Sequence, residues 1–296
     1  MKKKIIFFGG NSWGIHILDH LLYNGYEVPL VVAPPGISAQ KSAELRDSLP
    51  PSTITVKGCD FRGETIADII KSIKDYLILA CSYTAIIPKS IVNLGVVNIH
   101  GAILPYHRGA NMLNWAIING WKETGITLHY MEETLDSGNI IGNIAYPIYS
   151  YETVNDVKAT MFAKTYELLD KHLPVLMSGN VKGSKQDHTL AKYYPKRKPE
   201  DGKIDWSKNA IDVYNLVRAL VRPYPGAFFY HQHGNDIADK VRIETDNCPH
   251  FKPGKIIRID DGIWVTTGYN IIVIEEIRNF DMKEVNSFYQ IGDCLE

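Results

Sequence analysis

Apolar residues recur along this chain at two spacings. Over the first hundred residues, short continuous apolar runs alternate with segments whose apolar positions fall three or four apart. The run KIIFF, closed by Gly9 and Gly10, reads as a buried strand. From Gly14 to Asn24, Ile15, Leu18, Leu21 and Leu22 share one helical face, and Gly25 is a helix stop. YEVPLVVA, TITVKG, YLILAC and GVVNIH predict strands, ETIADIIKSIKD a helix, and AIIPKSIVNL a short helix or turn. This alternation predicts an α/β fold, a mostly parallel sheet with helices on both faces. ETGITLHYM and GNIIGNIAYPI follow without a helix between them and are expected as antiparallel additions at the sheet edge.

A long helix follows from Thr153, its expected N-cap, with Asp156 completing an imperfect capping box. The pattern then changes. DHTLAKYYPKRKPEDGKIDWSK is polar, charged and broken by Pro and Gly, which predicts a linker over residues 188–206. It separates a first domain, 1–187, from a second, 207–296. The second opens with the helical NAIDVYNLVRALV and continues in short strands and turns from Gly226, predicting a small antiparallel sheet or barrel.

Composition narrows the picture little. With 45% hydrophobic and 22% charged residues this is an ordinary globular chain, and its net charge of −1 gives no general attraction to nucleic acid. No apolar run is long enough to span a bilayer, and the four-residue run after MKKK is too short for a signal peptide. Cys59, Cys81, Cys248 and Cys294 are scattered without metal-ligand spacing. A reducing cytoplasm and no metal are therefore expected.

Chemistry concentrates after the strand GVVNIH. Asn98 and His100, two apart on a strand, point to one face at its carboxyl end, where a parallel sheet opens its active crevice. An amide can donate to a developing oxyanion, and an imidazole can take a proton from an attacking amine. No Ser or Cys stands beside them, so direct acyl transfer is favoured over a covalent intermediate. Asp136, in the turn LDSG, is the expected third member. GGNSWG after the first strand is not a dinucleotide fingerprint, because Asn11 stands where Gly is required. That turn reads equally as a structural turn or as a ligand loop through Asn11 and Ser12.

The stretch NIHGAILPYHRGANMLNWAIINGWKETGITLHYMEETLDSGNII resembles the core of the folate-dependent formyltransferases. YYPKRKPEDGKIDWSKNAIDVYNLVRALVRPYPGAFFY resembles the junction to the second domain in methionyl-tRNA formyltransferases and their sugar-modifying relatives, above all those acting on UDP-4-amino-4-deoxyarabinose. The resemblance implies a Rossmann-like first domain and a barrel-like second one. It also implies 10-formyltetrahydrofolate as donor, a primary amine as acceptor and a catalytic triad of Asn98, His100 and Asp136. It implies a pterin wall from CSYTAIIP, with Ser82, Tyr83, Ile86 and Ile87, and a further contact at Leu135. Two departures, Ala102 for the usual Ser and Met112 for the usual Pro, bear on the acceptor.

The loop APPGISAQKSAELRDSLPPS carries one Lys, one Arg and two acids where tRNA-acting relatives are basic. A small acceptor is therefore expected: a nucleotide-linked amino sugar, best a 4-amino deoxysugar, in surface polysaccharide biosynthesis. Asn11, Ser12, Arg108, Asn215, Arg218 and Arg222 are its candidate contacts. The alternatives are a methionyl-tRNA formyltransferase, a formyltetrahydrofolate hydrolase and a non-catalytic folate- or nucleotide-binding module. A homodimer is left open.

Overall fold

The computed structural model describes residues 4–57, 65–179, 181–232, 234–245, 251–279 and 289–296. Lys2, Lys3, Cys59 and Cys248 lie outside these residues. The chain divides into two compact units, and neither is a single stretch. One holds residues 1–109, 124–146 and 159–194; the other holds 110–123, 147–158 and 195–296.

The first unit alternates as its periodicity predicts, except that a helix, Ala39–Asp47, stands where the sequence pattern predicts only a loop. β1 (Lys4–Phe8), α1 (Ser12–Tyr23), β2 (Glu27–Ala33), α2 (Ala39–Asp47), β3 (Ile54–Lys57), α3 (Thr65–Ser72), β4 (Tyr76–Cys81), α4 (Lys89–Val92) and β5 (Val96–His100) follow in order. The sheet runs β3-β2-β1-β4-β5 with every neighbouring pair parallel. Ile5, Ile6, Phe7 and Phe8 are all fully buried. Successive strand residues face opposite sides, so both sides of the sheet are covered. One side packs Ile6, Phe8, Leu30, Val32 and Ile78 against Ile66 and Ile70 of α3.

After β6 (His107–Gly109) and α5 (Met112–Ile118) come β7 (Glu123–Tyr130) and β8 (Ile140–Pro147). They extend the sheet beyond β5, and β7 is antiparallel to β5. α6 (Val154–Ser178) starts at Thr153, whose N–H and hydroxyl both donate to Asp156, at 2.8 and 2.6 Å. Within the first unit Trp13 of α1 donates its indole N–H to Thr165 of α6 at 3.2 Å.

The segment expected as a linker is divided. His188–Leu190 forms a 3-10 turn, and β9 (Lys192–Tyr194) pairs with β6 in parallel register. Both belong to the first unit, whereas 195–206 belongs to the second. There α7 (Ala210–Ala219) precedes a five-stranded antiparallel sheet: β10 (Ala227–His231), β11 (Gly234–Glu244), β12 (Ile256–Ile259), β13 (Ile263–Thr266) and β14 (Ile271–Asn279), in the order β10-β11-β14-β13-β12. Among the described residues β10 and β12 are edges rather than partners, so the expected barrel is not closed strand to strand. Residues 292–296 bond to both edges instead: Glu296 exchanges two backbone hydrogen bonds with Tyr230 of β10, and Ile256 of β12 donates to Asp293. This satisfies backbone groups that open edges would leave to solvent.

Candidate active site

Three parallel strands end together in the first unit. The order reverses between β1 and β4, since β2 lies outside β1 and β5 outside β4; the crevice of an open parallel sheet forms at such a reversal. Asn11 follows β1 and caps α1, accepting from the N–H of Gly14 at 3.1 Å. Its Nδ2 donates to the carbonyl of Ser82, which follows β4, at 3.3 Å. Ser82 has φ +50°, a strained conformation for a residue with a side chain. Tyr83 meets Phe8 edge-on at 5.5 Å. Ile87 is buried, but Ile86 is 94% exposed and Leu135 is 58% exposed.

Asn98 and His100 sit on β5. The antiparallel register sets Asn98 opposite His129 and His100 opposite Thr127 of β7. The Nδ2 of Asn98 lies 3.1 Å from Nε2 of His129, and Nδ1 of His129 lies 2.8 Å from the carbonyl oxygen of Tyr130. Burial pushes the titration of His129 down to about 4, against the opposing pull of Asp136. Nε2 of His100 lies 2.8 Å from the carbonyl oxygen of His107. A carbonyl only accepts, so this nitrogen carries the proton and Nδ1 is the basic atom of the neutral ring.

Asp136 stands between the two imidazoles. Its Oδ2 is 3.6 Å from Nδ1 of His100, and its Oδ1 is 3.6 Å from Nε2 of His129. These are ion-pair distances, longer than hydrogen bonds. The N–H of Gly109 donates to Oδ2 at 2.9 Å. Asp136 has φ +52° and is buried, and its turn is held from outside. Gln186 donates to the carbonyls of Asp136 and Gly138 at 2.9 and 2.6 Å. Two glycines make the approach possible. A Cβ on Gly109 would lie 2.1 Å from the carbonyl oxygen of Tyr194, and one on Gly138 would lie 1.9 Å from that of Tyr130.

Arg108, expected at the acceptor, is 1% exposed. Its guanidinium donates to Tyr193 Oη (2.8 Å) and Gln186 Oε1 (2.6 Å), with His188 Nδ1 at 3.0 Å. It braces the glutamine that holds the Asp136 turn and is not free to contact an acceptor. Asn215 and Arg218 belong to the second unit and are also buried. Arg218 donates to Asn215 Oδ1 (2.8 Å) and to the carbonyl of Glu152 (2.7 Å), bonds that hold the second unit together. Arg222 is exposed, 3.4 Å from Asp239. Ala102 and Met112, expected to bear on the acceptor, are buried, and Ala102 takes part through its carbonyl.

Sequence reasoning passed over His129, Gln186 and Thr127. One signal was in reach for two of them: in ITLHY the polar Thr127 and His129 alternate with the apolar Ile126 and Leu128. The hydroxyl of Thr127 donates to the carbonyl of Ala102 (2.7 Å) and accepts from the N–H of Leu104 (3.1 Å), tying down the loop that follows His100. Among the described residues no group of three His, Cys, Asp or Glu side chains could hold a metal ion. None of the helices described is long and apolar enough to cross a membrane.

Residues 3–173 match the family model described as formyl transferase, and residues 196–288 match that of its C-terminal domain. A methionyl-tRNA formyltransferase of Alkaliphilus oremlandii (strain OhILAs) is 32% identical over 305 residues, spanning 99% of this chain and 97% of its own length. The bifunctional polymyxin resistance protein ArnA of Wigglesworthia glossinidia brevipalpis is 34% identical over 197 residues, 65% of this chain and 30% of its own. Among solved structures, an N-formyltransferase of Helicobacter canadensis, in complex with folinic acid and dTDP-3-aminofucose, superposes with a TM-score of 0.68 at 17% identity, covering 92% of this chain and 99% of that one.

Proposed function

This chain belongs to the formyl transferase family, and from that premise we propose that it formylates the primary amine of a nucleotide-linked amino sugar, in the cytoplasm. The family's members are folate-dependent N-formyltransferases, with 10-formyltetrahydrofolate as formyl donor. The reaction forms an amide bond to the acceptor nitrogen and breaks the bond from the formyl carbon to the folate nitrogen. Bound donor supplies the activated formyl group; the chain supplies an oxyanion donor and a base.

The amine attacks the formyl carbon, and charge develops on the formyl oxygen. Asn98 has one N–H engaged by His129 and a second available to that oxygen. His100 takes the proton of the attacking amine at Nδ1, because Nε2 is held by the His107 carbonyl. Asp136, 3.6 Å away, favours the imidazolium by charge. The proton then passes to the departing folate nitrogen. The exposed apolar side chains of Ile86 and Leu135 support a pterin wall, since a flat heterocycle would cover surface that the chain itself leaves bare. Ser82 and Tyr83 precede Ile86 on the same segment after β4. Asn11 and Ser12, at the end of β1, support acceptor contacts at the crevice.

One observation carries the choice of acceptor. The segment after β2, with α2, exposes Lys41 and Arg46 against Glu44 and Asp47, a net charge of zero. That suits a diphosphate needing few cations better than a tRNA engaging many phosphates. The second reading is a methionyl-tRNA formyltransferase, favoured by full-length identity of about a third to such enzymes. The test incubates the protein with donor and either initiator methionyl-tRNA or a panel of UDP- and dTDP-linked 3- and 4-amino sugars, at low and moderate salt. Mass spectrometry should find a formylated sugar nucleotide, with little dependence on salt. Efficient tRNA formylation that falls steeply with salt, with no sugar accepted, would favour the second reading.

A further inference from the structure

An amide side chain has a donor at one end and an acceptor at the other, and a half-turn exchanges them. Oxyanion stabilisation needs the N–H end of Asn98 at the reacting carbonyl, so something must choose between the two. Across the strand pair Asn98 faces the ring of His129, whose Nε2 lies 3.1 Å from its Nδ2. The Nδ1 of this ring lies 2.8 Å from the Tyr130 carbonyl, which can only accept, so Nδ1 carries the proton. In a neutral ring Nε2 is then a lone pair, and a lone pair accepts from Nδ2 but repels Oδ1.

The charged and titratable groups around the ring are Asp136, with Oδ1 at 3.6 Å from Nε2, His100, edge-on at 6.2 Å between ring centres, and Arg108. Asp136 would draw a proton onto Nε2. Burial opposes it, with the ring 1% exposed, and so do the charges of His100 and Arg108. We infer, on the formyl-transfer reading above, that His129 is a positioning residue: its Nδ1-protonated tautomer fixes which end of the Asn98 amide faces the formyl oxygen. It touches neither substrate and acts through Asn98. A ring protonated at Nε2 would turn the amide over and present a carbonyl to the developing negative charge.

The test separates this role from simple packing. His129→Leu keeps apolar volume in a buried position but removes the acceptor, whereas His129→Gln keeps an acceptor oxygen. We expect His129→Leu to stay folded by circular dichroism and to lose about 10- to 100-fold in kcat, part of what a missing oxyanion donor costs, with KM for both substrates little changed. His129→Gln should recover much of that loss. Added to Asn98→Ala, His129→Leu should cost less than about twofold further, because nothing remains to orient. Unchanged kcat in His129→Leu, or an equal loss in the Asn98→Ala background, overturns the inference. The tautomer is read independently of turnover, by ¹⁵N NMR of the wild-type protein labelled at histidine, with the His129 signals identified by their loss in His129→Leu. Protonated Nδ1 and bare Nε2 are expected from about pH 5.5 to 8, well above the depressed titration. A proton on Nε2 overturns the inference whatever the enzyme formylates. A wild-type protein that transfers formyl to no amine, yet shows the expected tautomer, would instead sink the functional reading.

Discussion

His100 and Asp136 owe their placing to backbone groups more than to each other. The His107 carbonyl holds one imidazole nitrogen and the Gly109 N–H holds one carboxylate oxygen, which leaves Nδ1 and Oδ2 facing each other at 3.6 Å. His100→Asn should lower kcat by about two to four powers of ten, the usual worth of a positioned acid or base. Folate binding and the melting temperature should change little. Asp136→Asn should lose a comparable factor, since an amide cannot stabilise an imidazolium; kcat and its pH profile, measured for both variants, check this. A normal rate and profile in Asp136→Asn would leave Asp136 as a turn residue. Arg108 shows why a side chain's type is a poor guide at this scale. An arginine in a loop looks like an anion contact, but here three neutral partners enclose it and Gln186 passes its bracing on to the Asp136 turn.

β7 does more for the site than its length suggests. It places His129 opposite Asn98, and through Thr127 it ties the loop between His100 and His107 at two backbone groups. Thr127→Val keeps the shape but leaves the Leu104 N–H and the Ala102 carbonyl without that partner. Thr127 is fully buried, so water cannot readily replace its hydroxyl, and a loss of about 1–3 kcal/mol is expected. Urea midpoints should report it. Because the same loop carries the carbonyl that holds His100, kcat should fall as well. A variant with a wild-type midpoint and rate would show that Thr127 ties nothing that matters.

At the scale of the whole molecule, the second unit is not the C-terminal half. Residues 110–123 and 147–158 belong to it, and they supply contacts that a C-terminal fragment lacks. Asn114 of α5 donates to the carbonyl of Ala219 at 2.8 Å, and Arg218 bonds to the carbonyls of Tyr149 and Glu152. A fragment of residues 195–296 would leave the Arg218 guanidinium short of those acceptors and α7 short of α5. We expect it to lack the cooperative thermal transition of the full chain, because unpartnered buried charge costs about 3–5 kcal/mol. A sharp calorimetric transition from the fragment alone would refute this. Limited tryptic digestion should cut first at the exposed Lys196 rather than at Lys192, whose strand is paired with β6.

Local pattern determined the elements. Continuous apolar runs and period-3.6 spacing, with Thr153 at a helix start and Gly25 at a helix end, mark β1, α1, β4, β5 and α6 within a few residues of where they lie. It also put Asn98 and His100 on one face, because residues two apart on a strand always share one. Asp136 stands out only beside Asn98 and His100 and through the resemblance, since nothing local separates a catalytic aspartate from a turn aspartate. α2 reads as loop in the sequence because its mean hydropathy is low and its apolar stripe weak, although Ser38 caps its start by accepting from the N–H of Lys41. Tertiary structure alone decided the rest. Asn98 and His129 are 31 residues apart, and strand register, which a single residue's slip would invert, makes them partners. Gln186 reaches the Asp136 turn from 50 residues away. The burial of Arg108, Asn215 and Arg218 was likewise beyond the sequence, because burial depends on what the rest of the chain brings to cover a side chain.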